Sequence, residues 1–167
     1  MKTVYLALGS NVGDRRANLA GALERLASDD VRVVRASSIY ETAPRDLPDQ
    51  PWFLNQVVEA ETSLFPLQLL SRTQKIERDL GRKRTQARTQ PKGPRVIDLD
   101  ILLFGEAVIR TAGLEIPHPR MLERRFVLDP LAELAPELRH PVTRKTVREA
   151  LAAVMDQSVR RADPLTG

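Results

Sequence analysis

Residues 93–105, Gly-Pro-Arg-Val-Ile-Asp-Leu-Asp-Ile-Leu-Leu-Phe-Gly, combine an apolar run with two carboxylates two positions apart. Side chains alternate between the faces of a β-strand, so a strand here would place Asp98 and Asp100 on one face, about 6.6 Å apart at the backbone. The apolar neighbours of both aspartates predict burial on both faces. Two buried carboxylates repel each other and are costly to desolvate unless a cation lies between them. The stretch therefore favours a divalent metal site, with one ion or two, over a strand that only turns a polar face to solvent.

The segment immediately before this strand is strongly basic. Residues 72–95 contain nine Lys and Arg against two Asp and Glu, whereas the whole chain has 26 against 22 and a net charge of +4. This local excess predicts binding of a polyanion. Cations on both sides of a phosphate are what phosphoryl transfer requires, because the transferred group carries charge on several oxygens at once. The alternatives are a basic surface that is only solvated and one that binds nucleic acid.

The rest of the chain makes the carboxylate strand the last element of a β-α-β-β-α-β order. We predict strands over residues 3–8, 31–42 and 53–62, and helices that begin near Asp14 and at Pro66. Residues 43–51 and 82–94 are predicted loops. This order is typical of a ferredoxin-like α+β fold, with a mainly antiparallel sheet and helices packed on it. A C-terminal extension follows, with a helix over about 146–155 and a tail that we expect to fray after Asp156.

Composition restricts the chemistry and the compartment. The chain of 167 residues has no cysteine, so carboxylates and two histidines are the available metal ligands. No apolar run approaches the roughly 20 residues of a membrane span, and residues 1–30 match neither a signal peptide nor a transit peptide. We therefore expect a cytoplasmic protein that forms a single domain over residues 1–167.

Several side chains away from the carboxylate strand are candidates for ligand binding. Trp52, Phe53 and Phe126 lie near loops or turns, where each could fill the core or two of them could sandwich a planar heterocycle. Asn55 lies on the same strand face as Phe53 and offers both a donor and an acceptor to the edge of such a ring. His118 stands between two prolines, where a phosphate contact and a surface position are equally compatible with the sequence.

These residues together resemble the 6-hydroxymethyl-7,8-dihydropterin pyrophosphokinase family of folate biosynthesis. The resemblance runs in order from about Val4 to Pro136. It is carried by the motifs at Ala7–Asn11, Tyr40–Pro44, Asp49–Pro51, Phe53–Asn55, Gln74–Glu77, Gly81–Arg82, Gly93–Arg95, Ile97–Ile101 and Pro117–Met121.

The resemblance implies transfer of an intact pyrophosphoryl group from ATP to the hydroxymethyl oxygen of the pterin, with release of AMP. It implies a monomer that acts on these small molecules, with catalytic Arg82 and Arg95 and with two magnesium ions held by Asp98 and Asp100. The residues that it places around ATP are Gln74, Glu77, Arg84, Arg95, Ile101, His118 and Arg124. Those that it places at the pterin are Thr42, Pro44, Phe53, Asn55 and Phe126, with the two phenylalanine rings on either side of the heterocycle.

The basic loop departs from the family pattern. Some members carry Arg-Trp-Gly-Pro-Arg before the carboxylate strand, whereas residues 89–95 here are Thr-Gln-Pro-Lys-Gly-Pro-Arg. Without that tryptophan, we expect closure over the site to depend on phosphate contacts from Arg82, Arg84 and Arg88. The alternative function is a ferredoxin-like nucleic-acid-binding module, which would need exposed aromatic side chains on the sheet and no metal.

Overall fold

The computed structural model describes residues 1–43, 52–81 and 96–162. Its elements in chain order are β1 (Lys2–Ser10), α1 (Arg15–Leu26), β2 (Val31–Ala36), β3 (Tyr40–Thr42), β4 (Phe53–Thr62), α2 (Pro66–Asp79), β5 (Asp98–Phe104), β6 (Ile109–Arg110), β7 (Glu115–Ile116), a 3-10 turn (Met121–Glu123), α3 (Arg125–Leu134), α4 (Val147–Ala152) and β8 (Val159–Arg161). None of the helices within these ranges is long and apolar enough to cross a membrane.

The described strands form a six-stranded antiparallel sheet and a two-stranded hairpin. In the sheet β5, β1, β4, β3 and β8 are neighbours in that order, and β2 pairs with β4 alongside β3. Strands β6 and β7 form the hairpin. The strand and helix order and the antiparallel pairing confirm the predicted α+β fold in the β-α-β-β-α-β arrangement, with β2 and β3 together in the place of the second predicted strand.

Helices cover both faces of the sheet. On the first face, α1 and α2 bury one hydrophobic cluster that includes Leu6, Leu19 and Leu69. On the second face, α3 and α4 bury another cluster that includes Val57 and Leu128.

Strand β5 changes face at its centre because it contains one extra residue. Leu6 pairs with Ile101, but Tyr5 pairs with Leu103, so Leu102 is the bulged position. Leu102 and Leu103 consequently both join the second-face cluster. The predicted burial is confirmed at Leu102 and Leu103. It is wrong at Asp100, which is exposed, and Asp98 is half-buried. The cause is that the second-face cluster reaches β5 only at Leu102 and Leu103 and leaves the start of the strand uncovered.

The predicted single strand over residues 31–42 is interrupted in the structure. Both β2 and β3 pair with β4, but residues 37–39 leave the ladder between them. Ser37 compensates for the break, because its hydroxyl accepts from the Val57 N–H at 3.0 Å and its carbonyl accepts from the Gln56 amide at 2.8 Å. A serine side chain therefore takes the place of a backbone partner and keeps the Val57 N–H bonded where the strand breaks.

The predicted fraying after Asp156 is wrong for residues 159–161. They form β8, which pairs antiparallel with β3 so that Val159 lies opposite Thr42 and Arg161 lies opposite Tyr40. Without β8, the short strand β3 would leave its outer N–H and C=O groups unpaired at an edge. The C-terminal segment thus borders the strand that carries Thr42.

The predicted helix starts are confirmed. Asp14 is the N-cap of α1 and accepts from the Ala17 N–H at 3.1 Å, and α2 begins at Pro66. Gly81 follows α2 with a φ of +108°, a conformation that favours glycine. The last helix is shorter than predicted: α4 spans Val147–Ala152, with Thr146 as its N-cap.

Candidate active site

One row of residues crosses three strands on the second face and brings together two parts of the predicted site. Gly9 of β1 lies opposite Asn55 of β4 on one side and opposite Asp98 of β5 on the other. Neighbouring strands are about 4.8 Å apart, so the backbones at Asn55 and Asp98 are about 10 Å apart. The glycine leaves the surface between these two polar side chains uncovered. In the next row, Asp100 lies opposite Ala7.

The amide of Asn55 is oriented by a hydrogen bond within the sheet. Its Nδ2 donates to Thr42 Oγ1 at 2.7 Å, and both residues are buried. A Cβ built on Gly9 would lie 3.4 Å from Asn55 Oδ1 and 3.7 Å from the Phe53 ring. The structure therefore brings Thr42, Phe53 and Asn55 together, and it directs an amide oxygen and an aromatic ring toward the space over Gly9.

The aromatic candidates occupy two different environments. Phe126 lies at the start of α3, half-buried against the second-face cluster, and the Arg124 guanidinium lies 5.5 Å from its ring centre. Phe53 faces the same side of the sheet from β4. Trp52 instead stacks with Arg160 at 4.5 Å, and its carbonyl accepts from Arg15 at 2.8 Å. Phe53 and Phe126 thus share a face, whereas Trp52 packs against residues of the segments that carry Arg15 and Arg160.

A cavity of about 270 Å³ lies beside the carboxylates. It brings together three of the predicted residues, Asp100, Ile101 and His118. Sequence reasoning missed most of its other walls, which are Leu70, Leu99, residues 111–115 and Pro119. The available signal was the turn-forming pair Ala112-Gly113 between two short β-like segments.

His118 is held close to the carboxylate strand. The backbone N–H of His118 donates to the Leu102 carbonyl at 2.9 Å. The ring Nδ1 accepts from the backbone N–H of Arg120 at 3.2 Å. Burial lowers the pKa of His118, the nearby Asp100 opposes that shift, and Arg124 and Arg120 add to it. With Nδ1 acting as an acceptor, the neutral ring carries its proton on Nε2, which can donate to an anion.

Glu77 supports the carboxylate strand from the side of α2. It is buried, and its Oε2 accepts from the Leu99 N–H at 2.9 Å. Leu99 lies between the two aspartates on β5, which is the edge strand of the sheet. The contact therefore fixes the backbone that carries Asp98 and Asp100. Gln74, one turn earlier on α2, is exposed.

The two aspartates of β5 are the carboxylates available to a divalent metal at this edge of the sheet. Among the described residues, no group of three or more His, Asp or Glu side chains is placed to hold a metal ion. Magnesium does not need such a cage, because it keeps several waters and uses one or two carboxylates together with phosphate oxygens. Asp98 and Asp100 fit that requirement when a phosphate-bearing substrate is also bound.

Four of the predicted site residues, Pro44, Arg82, Arg84 and Arg95, lie outside the described residues, as does Arg88. The same holds for nearly all of the two predicted loops.

The sequence matches proteins of one family over most of its length. The family model of 7,8-dihydro-6-hydroxymethylpterin-pyrophosphokinase (HPPK) matches residues 5–136. A 2-amino-4-hydroxy-6-hydroxymethyldihydropteridine pyrophosphokinase of Methylorubrum extorquens is 45% identical over 98% of this chain and 100% of its own length. The enzyme of that name from Bacillus subtilis is 49% identical over 92% of this chain and 85% of its own.

Some relatives are much longer proteins. Folic acid synthesis protein fol1 of Pneumocystis carinii is 40% identical over 98% of this chain, but the chain spans only 22% of its length. Among solved structures, Plasmodium falciparum HPPK-DHPS wild type with pteroate superposes with a TM-score of 0.72 at 17% identity, over 93% of this chain and 42% of that one. This structural likeness supports the fold.

Proposed function

The chain belongs to the HPPK family, and from that premise we propose that it transfers pyrophosphate from ATP to the hydroxymethyl group of 6-hydroxymethyl-7,8-dihydropterin. The products would be AMP and the pterin diphosphate, in tetrahydrofolate synthesis. The observation that carries the proposal is the row Asn55–Gly9–Asp98. It supports the proposal because an amide suited to a polar heterocycle and a carboxylate suited to a phosphate-bound metal lie on one face of the sheet, separated by a single strand.

The pterin would lie over Gly9. Asn55, fixed by Thr42, presents Oδ1 as an acceptor for a ring N–H or amino group. Phe53 and Phe126 offer apolar faces on the same side of the sheet. A flat ring can bury its own faces against them and thereby gain free energy. In this orientation the hydroxymethyl group would extend toward β5 and the two aspartates.

ATP would lie along β5 and the cavity beside it. Asp98 and Asp100 would hold magnesium, which when bound would neutralise triphosphate charge and increase the electrophilicity of the β-phosphorus. His118 would donate from Nε2 to a phosphate oxygen. Since Leu99 turns its N–H outward to Glu77, strand alternation places the backbone groups of Ile101 at the same edge, where they can bind the base. Arg124 extends from the other side of the site, close to both Phe126 and His118.

We further propose that Arg82, Arg84 and Arg95 contact the phosphates and that Arg82 and Arg95 assist the transfer, on the basis of their positions in the family motifs. The protein would act as a cytoplasmic monomer. Sedimentation at several concentrations would test the oligomeric state, and a mass of twice 18.8 kDa would contradict it.

The reaction is tested by incubating the protein with ATP, magnesium and the hydroxymethyl pterin. AMP should appear in step with the pterin diphosphate. Release of ADP or of orthophosphate in place of AMP would contradict pyrophosphoryl transfer.

The carboxylates are tested by Asp98→Ala and Asp100→Ala. Each should lower kcat by at least about a hundredfold, the size typical of losing one preorganised charge interaction in a transition state. The fold should survive, because Asp100 is exposed and Asp98 is half-buried. Arg148→Ala is a control, since Arg148 forms an exposed pair with Glu137. Activity of either aspartate variant within a few-fold of the parent would exclude its role.

The nucleic-acid-binding alternative is not favoured. The family match argues for an enzyme, and two aspartates on the second face would repel a polyanion in the absence of metal. Retention of RNA on a filter at modest salt, together with no AMP release, would reverse this preference.

A further inference from the structure

The backbone around Arg124 is held by a residue from the far end of the chain. The N–H of Arg125, the first residue of α3, donates to Gln157 Oε1 at 2.9 Å. The same side chain donates from Nε2 to the Glu123 carbonyl at 2.7 Å. One amide group therefore clamps the peptide on both sides of Arg124. It also satisfies one of the N–H groups that the first turn of a helix leaves unpaired.

A second set of bonds fastens the same two segments. Arg125 Nη1 donates to the carbonyl of Gln157 at 2.7 Å and to that of Met155 at 3.0 Å. Its Nε donates to Asp129 at 2.8 Å within α3, and both side chains of this pair are mostly buried. Residues 155–157 are thereby fixed against the first turn of α3, although they lie about 30 positions away in sequence.

The segment that follows Gln157 reaches the other end of α3. Strand β8 pairs with β3, and its Arg161 contacts Glu133 at 3.2 Å. Glu133, two turns after Phe126 on α3, also accepts from the Tyr40 hydroxyl at 2.7 Å and from the Ser38 N–H at 3.0 Å. The C-terminal segment thus connects α3, which carries Phe126, with β3, which carries Thr42.

We propose that Gln157 is a positioning residue for substrate binding, which holds residues 123–125 so that Arg124 and Phe126 face the site. This inference rests on the proposed function, because Arg124 and Phe126 are assigned there to ATP and to the pterin. Gln157 lies beyond residues 5–136, the part of the chain that the family model matches.

Loss of the clamp should weaken substrate binding more than the chemical step. Without Gln157, the N–H of Arg125 and the carbonyl of Glu123 lose their partners, and the first turn of α3 gains freedom. Binding must then order that turn again, which raises KM for the pterin and for ATP. The aspartates of β5 are not in contact with the clamp, so kcat should change little.

Three variants separate positioning from general stability. Gln157→Met keeps the length of the side chain and removes both hydrogen bonds. Gln157→Glu keeps the acceptor for Arg125 at a helix N-terminus, where a negative charge is favourable. Arg148→Ala is the matched control in the same C-terminal region, with its partner Glu137 exposed.

We expect Gln157→Met to raise KM for both substrates about fivefold, the effect of losing about one hydrogen bond. Gln157→Glu should recover at least half of that change, and Arg148→Ala should match the parent. If Gln157 were merely structural, a smaller folded fraction would lower kcat and leave both KM values unchanged. That pattern, or parental KM values in Gln157→Met, would overturn the proposal.

Hydrogen exchange tests the clamp independently of catalysis. In Gln157→Met, the backbone amides of residues 125–128 should exchange faster than in the parent, while those of β1 should be unchanged. Unchanged exchange at 125–128 would overturn the clamp even if the enzyme makes AMP. Failure of the parent to make AMP, with faster exchange in the variant, would instead contradict the proposed function alone.

Discussion

At the scale of single residues, Gly9 leaves open the surface between the two halves of the proposed site. It lies between Asn55 and Asp98 in one row of the sheet, where any side chain would project into the space between them. A Cβ there would make ordinary contacts of 3.4 Å with Asn55 Oδ1 and 3.7 Å with the Phe53 ring. The fold itself would tolerate a Cβ here, so the glycine is what we expect of a surface that the proposed ligand covers.

Replacing Gly9 with valine should fill the space over β1 and exclude the pterin. We expect KM for the pterin to rise by more than about tenfold, equivalent to about 1.4 kcal/mol of lost binding, with a smaller change for ATP. Steady-state kinetics with each substrate varied in turn would measure both effects. Gly21→Ala is the matched control, because a Cβ at Gly21 in α1 meets only Leu80 at 3.6 Å. Equal pterin affinity in Gly9→Val and the parent would show that the heterocycle binds elsewhere.

At the scale of elements, the carboxylate strand depends on a helix on the opposite face. Strand β5 is at the sheet edge, where unpaired backbone groups are a liability. Glu77 of α2 covers one of them, the Leu99 N–H, and so couples the helix to the strand that carries both aspartates. The edge is thereby kept ordered beside the cavity.

Glu77→Leu should weaken the contact between α2 and β5 and so destabilise the protein. The substitution leaves the Leu99 N–H without its acceptor, so we expect a loss of about 1–3 kcal/mol in the free energy of unfolding. Urea titration would measure it, with Glu77→Gln losing less because it keeps an acceptor oxygen. Asp79→Ala on the same helix is the control and should change the free energy of unfolding much less than Glu77→Leu, because the ion pairs of Asp79 are exposed. If Glu77→Leu lowered the free energy of unfolding no more than Asp79→Ala, the contact between Glu77 and Leu99 would not be stabilising.

At the scale of the whole molecule, two histidines make stability depend on pH in the same direction. Burial lowers the pKa of His118 and of His140. His140 also accepts through Nδ1 from the N–H groups of Val142 and Thr143, both at 3.2 Å, which requires a neutral Nδ1. Between the lowered folded pKa and the unfolded value of about 6.5, the unfolded chain binds more protons than the folded one.

The free energy of unfolding should therefore carry no penalty from these histidines above about pH 6.5. It should decrease as the pH drops toward their pKa values in the folded protein. Urea unfolding of the parent at pH 7.5 and 5.5 should show a lower free energy at the acidic pH. His140→Gln, which can accept from the same N–H groups without titrating, should show a smaller difference between the two conditions. A difference as large as that of the parent would exclude His140 as a contributor.

The sequence alone was sufficient where the signal is local. The period of apolar residues and the capping residue Asp14 predicted the helix starts, and two-residue alternation predicted that Asp98 and Asp100 share a face. The element order followed from these local signals. The motifs between Val4 and Pro136 identified the family, which the comparisons confirm, because each motif keeps chemically specific residues at fixed spacing.

The tertiary structure decided the features that depend on residues far apart in the chain. The strand break at residues 37–39, the bulge at Leu102 and the strand β8 arise from pairing with distant segments, which no local pattern encodes. The same is true of the row through Gly9 and of the bond between Arg125 and Gln157, 32 positions apart. Local sequence could suggest candidate residues for binding phosphate and pterin, but only packing fixes how those residues face each other, because that geometry depends on contacts between elements.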